Sequence, residues 1–277
     1  SIVTFSYILF ILALMKQLVF IVAFLFPFLA ICQQSDIVAL PLSVQHIVAN
    51  GYVGEDSFRY QYFLENNALL KIKNNETFQY KNIALGKIAK VDIQNPFKTV
   101  LFYESFNTAV ILDNQLNEIQ KINFSDNTKN IVATAVGIAS QNNLWVFNAS
   151  NQQIYLYQYL KNEYKNISNP IAQTIKYYQT SANDFCWIDN QNYSYSCDIF
   201  GRVIALGKVP DCDALQFISK TDMIFKKNDD LFYYSLKEDK TVLINLDKKS
   251  YTSFYYKDQN LAIFTNDGIT NYKINLP

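Results

Sequence analysis

The chain is poor in the residues that most chemistry uses. Its 277 residues contain one histidine, His46. A single imidazole excludes two-histidine zinc helices and histidine-rich metal sites. His46 could serve one Ser-His-Asp set, but there is no G-x-S-x-G elbow to supply the serine. His46 lies in an apolar run, so the reading is a packing or surface residue. Neither G-x-G-x-x-G nor a G-K-[ST] phosphate loop occurs, which argues against nucleotide use. Basic and acidic side chains balance at 24 each, so no overall positive field draws a nucleic acid. No C-x-x-C pair and no calcium loop of the D-x-[DN]-x-[DN]-G kind is present.

Glycine (7) and proline (6) are also scarce. Turns must then be made by Asn and Asp, which tolerate the left-handed region and bond to their own backbone. What the chain has in quantity is apolar and aromatic surface. Half the residues are hydrophobic, with 20 Tyr and 21 Phe. That composition favours strands and is ample for a large core.

The N-terminal region reads as a leader. Met15-Lys16 precedes the apolar run QLVFIVAFLFPFLAIC and then Gln33-Gln34. A basic start, an apolar stretch and a small-residue end make a secretory signal peptide over 15–32, cut between Cys32 and Gln33. Residues 1–14 carry no initiator Met and read as upstream translation. Two rival readings stay open. Leu29-Ala30-Ile31-Cys32 resembles a lipobox, which would put a lipid on Cys32, although Ile31 is large for that position. Residues 2–31 are also long enough to span a membrane, against which Lys16 and Gln17 stand in the middle. In each case the mature part, 33–277, is exported.

The mature part repeats itself. The stretch LFYESFNTAVILDNQLNEIQKINF (101–124) reads as strand, turn, strand, turn, strand. Its VILDNQLNEI element has counterparts at 62–72, 186–196, 224–236 and 262–274, and a longer-turned one at 145–160. The turn residues Asn66, Asn114, Asn190, Asn228 and Asn266 are separated by 48, 76, 38 and 38 residues. The gap of 76 holds the longer-turned copy, so the period is close to 40 and the copies number six. A period of that size with several strands per copy indicates a six-bladed β-propeller of four-stranded blades. The expected strands are 133–140, 144–149, 153–160 and 162–168 in the third copy. They are 174–181, 184–189, 192–200 and 202–209 in the fourth. The fifth has 214–220, 222–227, 230–237 and 241–246. The sixth has 253–258, 261–266 and 268–276, one strand short. The segment 35–43 is the expected fourth strand closing the ring, and 42–54 an irregular lead-in. No linker or charge block divides 33–277, which reads as one domain.

Site candidates are few. Cys186, Cys197 and Cys212 belong to the mature part. A turn at Gln191-Asn192 would pair 186 with 197, and an exported protein makes a disulfide between them plausible; three reduced, packed thiols are the alternative. Acidic residues fall one per turn at Glu65, Asp113, Asp189, Asp229 and Asp267. They read as turn formers. Six-bladed propeller hydrolases hold a calcium ion with acidic and Asn side chains, so a Ca2+ ion in the channel is the cofactor alternative to none. Phe232-Tyr233-Tyr234 and Phe254-Tyr255-Tyr256 read as packing between blades rather than a glycan or peptide surface.

The segment 82–124, together with the MKQL…AICQQ leader, resembles a family of small exported proteins of Bacteroidota. The Asn-, Ile-, Lys- and Tyr-heavy usage suits that source. The same segments also resemble the periplasmic plug subunit of the type IX secretion translocon. The resemblance implies a β-propeller at the cell envelope and carries no active residues over. The expected function is a non-enzymatic protein-binding or scaffold subunit of an envelope complex, touching membrane only through a partner or a lipid on Cys32. The alternative is a metal-assisted hydrolase or lactonase in the central channel.

Overall fold

The middle strands of the repeats are apolar at nearly every position rather than at every second one. Such strands must be covered on both faces. TAVIL (108–112) is buried throughout, and NLWVFN (143–148) at all but its first residue. The computed structural model, which describes residues 36–126, 130–247 and 250–277, shows what covers them.

Two strands open the described chain, β1 (Ile37–Val38) and β2 (Leu40–His46). Blade 1 follows with β3 (Gly51–Glu55), β4 (Gln61–Glu65), β5 (Ala68–Lys73) and β6 (Glu76–Lys81). Blade 2 has β7 (Lys90–Asn95), β8 (Lys98–Tyr103), β9 (Thr108–Leu112) and β10 (Glu118–Asn123). Blade 3 is β11 (Ala133–Ile138), β12 (Asn143–Asn148), β13 (Gln153–Gln158) and β14 (Glu163–Asn166). In blade 4 come β15 (Ile175–Thr180), β16 (Asp184–Asp189), β17 (Tyr193–Asp198) and β18 (Val203–Lys208). Blade 5 holds β19 (Ala214–Phe217), β20 (Asp222–Lys227), β21 (Asp230–Ser235) and β22 (Lys240–Asn245). Blade 6 ends the chain with β23 (Ser253–Lys257), β24 (Asn260–Thr265) and β25 (Gly268–Lys273).

Each blade is an antiparallel meander, and the whole is a six-bladed β-propeller. The fourth strand of blade 6 is β2, antiparallel to β25 from Leu40↔Lys273 to His46↔Gly268. Residues 35–43, expected as one strand, are divided. Ile37–Val38 pairs in parallel with β22 on the outside of blade 5, and the chain then crosses to blade 6. The stretch 42–54 is not an irregular lead-in, since it holds the end of β2 and most of β3. A Cβ on Gly268 would lie 2.1 Å from the Gln45 carbonyl oxygen, so β2 can approach this closely only because that residue has no side chain.

The buried apolar side chains fall into six clusters, one at each junction between neighbouring blades. At the junction of blades 3 and 4, Trp145 and Phe147 meet Phe185 and Trp187. The aromatic runs at 232–234 and 254–256 join these clusters. Polar clamps add direction to the apolar contact. Side-chain amides reach the next blade's backbone and bond it through both oxygen and nitrogen. Gln179 Nε2 donates to the Phe217 carbonyl (2.9 Å) and its Oε1 accepts from Phe217 N (3.0 Å). Gln216 does the same to Tyr256 at 2.8 Å each way. Asn107 bonds Ile131 O and Ala133 N at 2.7 and 2.9 Å, and Asn67 bonds Gly86 O and Ile88 N.

Asn107 also corrects the repeat register. The turn at Asn114 joins the third and fourth strands of blade 2, whereas the other Asn turns join second and third strands. The residue of blade 2 that corresponds to Asn66 is Asn107, left-handed at φ 48°. With Asn148 for blade 3, the spacings become 41, 41, 42, 38 and 38. Asn66 and Asn228 also take positive φ; at Asn66-Asn67 both turn residues do, the two-residue hairpin that matches strand twist.

Replacing Gln216 by Ala leaves the Tyr256 N–H and C=O without these partners at a blade junction. The expected cost is about 1–3 kcal/mol, read from the urea unfolding midpoint; an unchanged midpoint would show that the clamp adds no stability. Removing residues 36–46 uncovers the edge of β25, and the expected outcome is a lower melting temperature with aggregation in light scattering.

Candidate functional site: one loop face of the propeller

Successive strands alternate in direction. The turns after first and third strands therefore emerge on one face, and those after second strands on the other. The first face carries a recurrent turn. An Asp at its head accepts from the backbone N–H groups two and four residues on: Asp56 from Phe58 (2.8 Å) and Tyr60 (3.0 Å), Asp113 from Gln115 and Asn117 (2.8 Å each), Asp198 from Phe200 (2.9 Å) and Arg202 (3.0 Å). Its fourth residue is left-handed, as at Arg59, Leu116 and Gly201. Gly201 is required, because a Cβ there would lie 1.9 Å from the Ile167 carbonyl oxygen. Asp189 heads the same turn on the opposite face, bonding Gln191 N and Tyr193 N. Asp113 and Asp189 are thus turn formers.

Two of these turns, and an Asn-headed turn that bonds only the N–H two residues on, present a phenylalanine. Asp56-Ser57-Phe58, Asn95-Pro96-Phe97 and Asp198-Ile199-Phe200 each hold the Phe N–H on the side-chain oxygen two residues earlier. The rings point outward: Phe58 is 45% exposed, Phe97 60% and Phe200 86%. Phe58 and Phe97 come from neighbouring blades and meet edge to face, centroids 5.3 Å apart. Leu160, in the turn between β13 and β14, is exposed on the same face. The pattern [DN]-x-F is written in the sequence but does not single these turns out, because it also occurs at 183–185 and 230–232, where Phe185 is buried and Phe232 packs between blades.

Beside Phe97 lies an open cleft of about 440 Å³, lined by Asn95, Pro96, Lys98, Gln141, Asn142 and Tyr159 among others. Lys98 Nζ donates to Asn142 Oδ1 and to Tyr159 Oη, both at 2.7 Å, which fixes a polar floor. Toward Phe200 a second cleft of about 360 Å³ opens between Glu163, Tyr164 and Lys165 on one side and Ile199 on the other. The floor of the first cleft is satisfied by the Lys98 bonds, whereas in the second the buried Gln158 Oε1 has no partner.

The channel is lined by the first strands and is polar but occupied with its own bonds. Asp92 Oδ2 accepts from Ile138 N (2.8 Å), Thr180 Oγ1 (3.1 Å) and Gln94 Nε2 (3.1 Å), while Oδ1 accepts from Gln94 N (3.1 Å). One carboxylate therefore ties blades 2, 3 and 4. To act as a base or ligate a cation it would have to give up those donors. Lys90 lies over the Tyr177 and Tyr178 rings at 5.5 and 5.3 Å; burial pulls its pKa down against the opposing pull of Asp92. Among the described residues, no three His, Cys, Asp or Glu side chains come together as metal ligands would.

The other sequence candidates disperse. His46 is exposed at the end of β2, in a shallow recess beside the Asn266 turn. Cys32 and Gln33 lie outside the described residues. Cys186 and Cys197 do not face each other: Cys186 is opposite Ser196, and Cys197 opposite Phe185. The Asp189-capped turn spans one residue more than a symmetric hairpin about Gln191-Asn192, and a one-residue slip sends the two thiols to opposite faces. Cys186 packs toward blade 5 and Cys197 toward blade 3; with Cys212 they are free. Burial pushes the Cys186 thiol up to about 11 and Cys197 to about 12. Iodoacetamide on the native protein is expected to label Cys212 alone, all three after unfolding, with the mass unchanged by reductant. A native adduct on Cys186 or Cys197 would contradict the packing.

No family model matches the chain, and no curated protein does. Solved structures share the fold. BBS1N in complex with ARL6DN superposes with a TM-score of 0.58 at 12% identity, over 88% of this chain and 98% of that one. Virginiamycin B lyase from Staphylococcus aureus gives 0.55 at 11% identity, over 80% and 79%. YCF48 bound to D1 peptide gives 0.54 at 8% identity, over 86% and 100%. Identities this low establish the β-propeller and nothing finer.

Proposed function

We propose that this protein is an exported, non-enzymatic propeller that docks another protein of the cell envelope on the loop face carrying Phe58, Phe97 and Phe200. The observation that carries the reading is the set of three capped turns, each holding its backbone rigid while leaving a phenylalanine in water. Rigid aromatic side chains lose little entropy on binding and make strong anchors. Two of the structures sharing the fold hold protein or peptide partners by their names, ARL6DN and the D1 peptide, which is consistent with such a role. Export rests on the 15–32 leader, and kinship with the type IX translocon plug on that leader and the 82–124 segment. A hydrolase or lactonase in the channel is less well supported, because Asp92 is committed to three blades.

The test is affinity purification of the mature, C-terminally tagged protein from envelope membranes, beside a Phe58→Ala/Phe97→Ala/Phe200→Ala variant with the same melting temperature. The expected result is one complex in stoichiometric amount with the parent and its loss with the variant. An envelope complex that both proteins retain would move the interface off this face. No complex with either would turn attention to ester and lactone substrates.

A further inference from the structure

Every blade of a propeller ends in an outer edge strand, and such edges are normally guarded. Here β6 and β10 each begin with glutamate and carry lysine, and β14 holds Glu163 and Lys165. On blade 5, β1 overlies part of β22, and β2 of blade 6 contains Pro41 beside a bulge. β2 carries no Lys, Arg, Asp or Glu but is interrupted at Pro41. On blade 4 the outer strand, β18, has its charges only at the ends, Arg202 before it and Lys208 at its last position, and a bulge at Leu206. Between them Val203-Ile204-Ala205 is uncharged, and among the described residues nothing pairs beyond it. Val203 and Ile204 are 43% and 37% exposed, and Ala205 is exposed too.

The backbone of this edge is set to accept a strand. Asp198 N donates to Arg202 O across the β17–β18 ladder. Antiparallel pairing alternates, so the N–H and C=O groups of Val203 and Ala205 point away from the sheet. Beside the strand, a cleft of about 440 Å³ opens between the 169–173 linker and blade 4, lined by Pro170, Ile171, Ala172, Tyr195, Gly201 and Val203. It is placed to take a side chain of an added strand.

Charge selects the occupant. The apolar run is bracketed by Arg202 and Lys208, neither in an ion pair among the described residues. A second copy pairing antiparallel on this edge would bring the cationic ends of the two runs, Arg202 and Lys208, near each other, like charges with no partner. A strand with acidic ends meets both cations. We propose that β18 is a strand-addition site for an extended segment of a partner protein, apolar at alternate central positions and carrying carboxylates at both ends. Backbone bonds would supply affinity and the cleft and two cations selectivity. The site lies on the outer wall and does not depend on the loop-face reading.

A displayed library of random linear peptides, selected on the mature protein, tests this. Expected are peptides alternating in apolar residues, with acidic residues toward both ends, that slow amide exchange at Val203 and Ala205. They should bind the Ala205→Lys and Val203→Lys variants about tenfold or more weakly and the Phe58→Ala/Phe97→Ala variant unchanged. Peptides indifferent to both lysine variants, or free of acidic residues, would overturn the proposal. So would a dimer of the parent protein in sedimentation that Ala205→Lys abolishes, since the occupant would then be a second copy. Loss of peptide binding in the Phe58→Ala/Phe97→Ala variant alone would reassign it to the loop face.

Discussion

Coverage of both faces of every sheet is the constraint on which the rest of this structure depends. A four-stranded sheet whose middle strands are apolar throughout cannot stand in water. Each blade supplies one wall of two separate cores, and six such cores close a ring. The closing strand follows from this. With β25 as its last strand, blade 6 would lack a fourth strand, and the start of the described chain returns to fill it. Apolar contact alone has little direction, and the Asn and Gln clamps supply it. A side-chain amide bonding both groups of a neighbour's backbone imitates one rung of a sheet ladder, between sheets that are not otherwise paired.

Rigidity at the centre has a consequence for what the protein can do. Asp92 is the acidic group best placed for channel chemistry, yet its oxygens bind donors from three blades. The same arrangement that steadies the inner strands removes a free carboxylate. Freedom lies at the periphery, in turns whose backbones are fixed by Asp or Asn caps while their side chains project, and in the uncharged middle of an outer strand. Binding surfaces on propellers commonly arise in such places, where a stable ring tolerates variation.

Two sequence expectations changed for instructive reasons. The Asn114 turn resembled the others because an Asx turn looks alike wherever it occurs, and local chemistry does not say which pair of strands it joins. Only pairing showed that Asn107 holds the corresponding place. The Cys186–Cys197 register failed by one residue because the length of a capped turn depends on where the Asp side chain bonds, which composition does not reveal. The phenylalanines at 58, 97 and 200 were visible as [DN]-x-F. Their significance was not, since an exposed ring and a buried one are written with the same letter.

By itself the sequence determined the repeat, the strand content and the fold class. These follow from spacing and from which residues tolerate turns and pleats, properties that each short stretch carries alone. Tertiary structure decided the division of the N-terminal segment between blades 5 and 6, the separation of the thiols and the commitment of Asp92. It also decided which apolar residues stay in water and which strand edges stay unpaired. Those depend on what lies opposite a residue after the ring has closed, at sequence distances of one blade or of the whole chain.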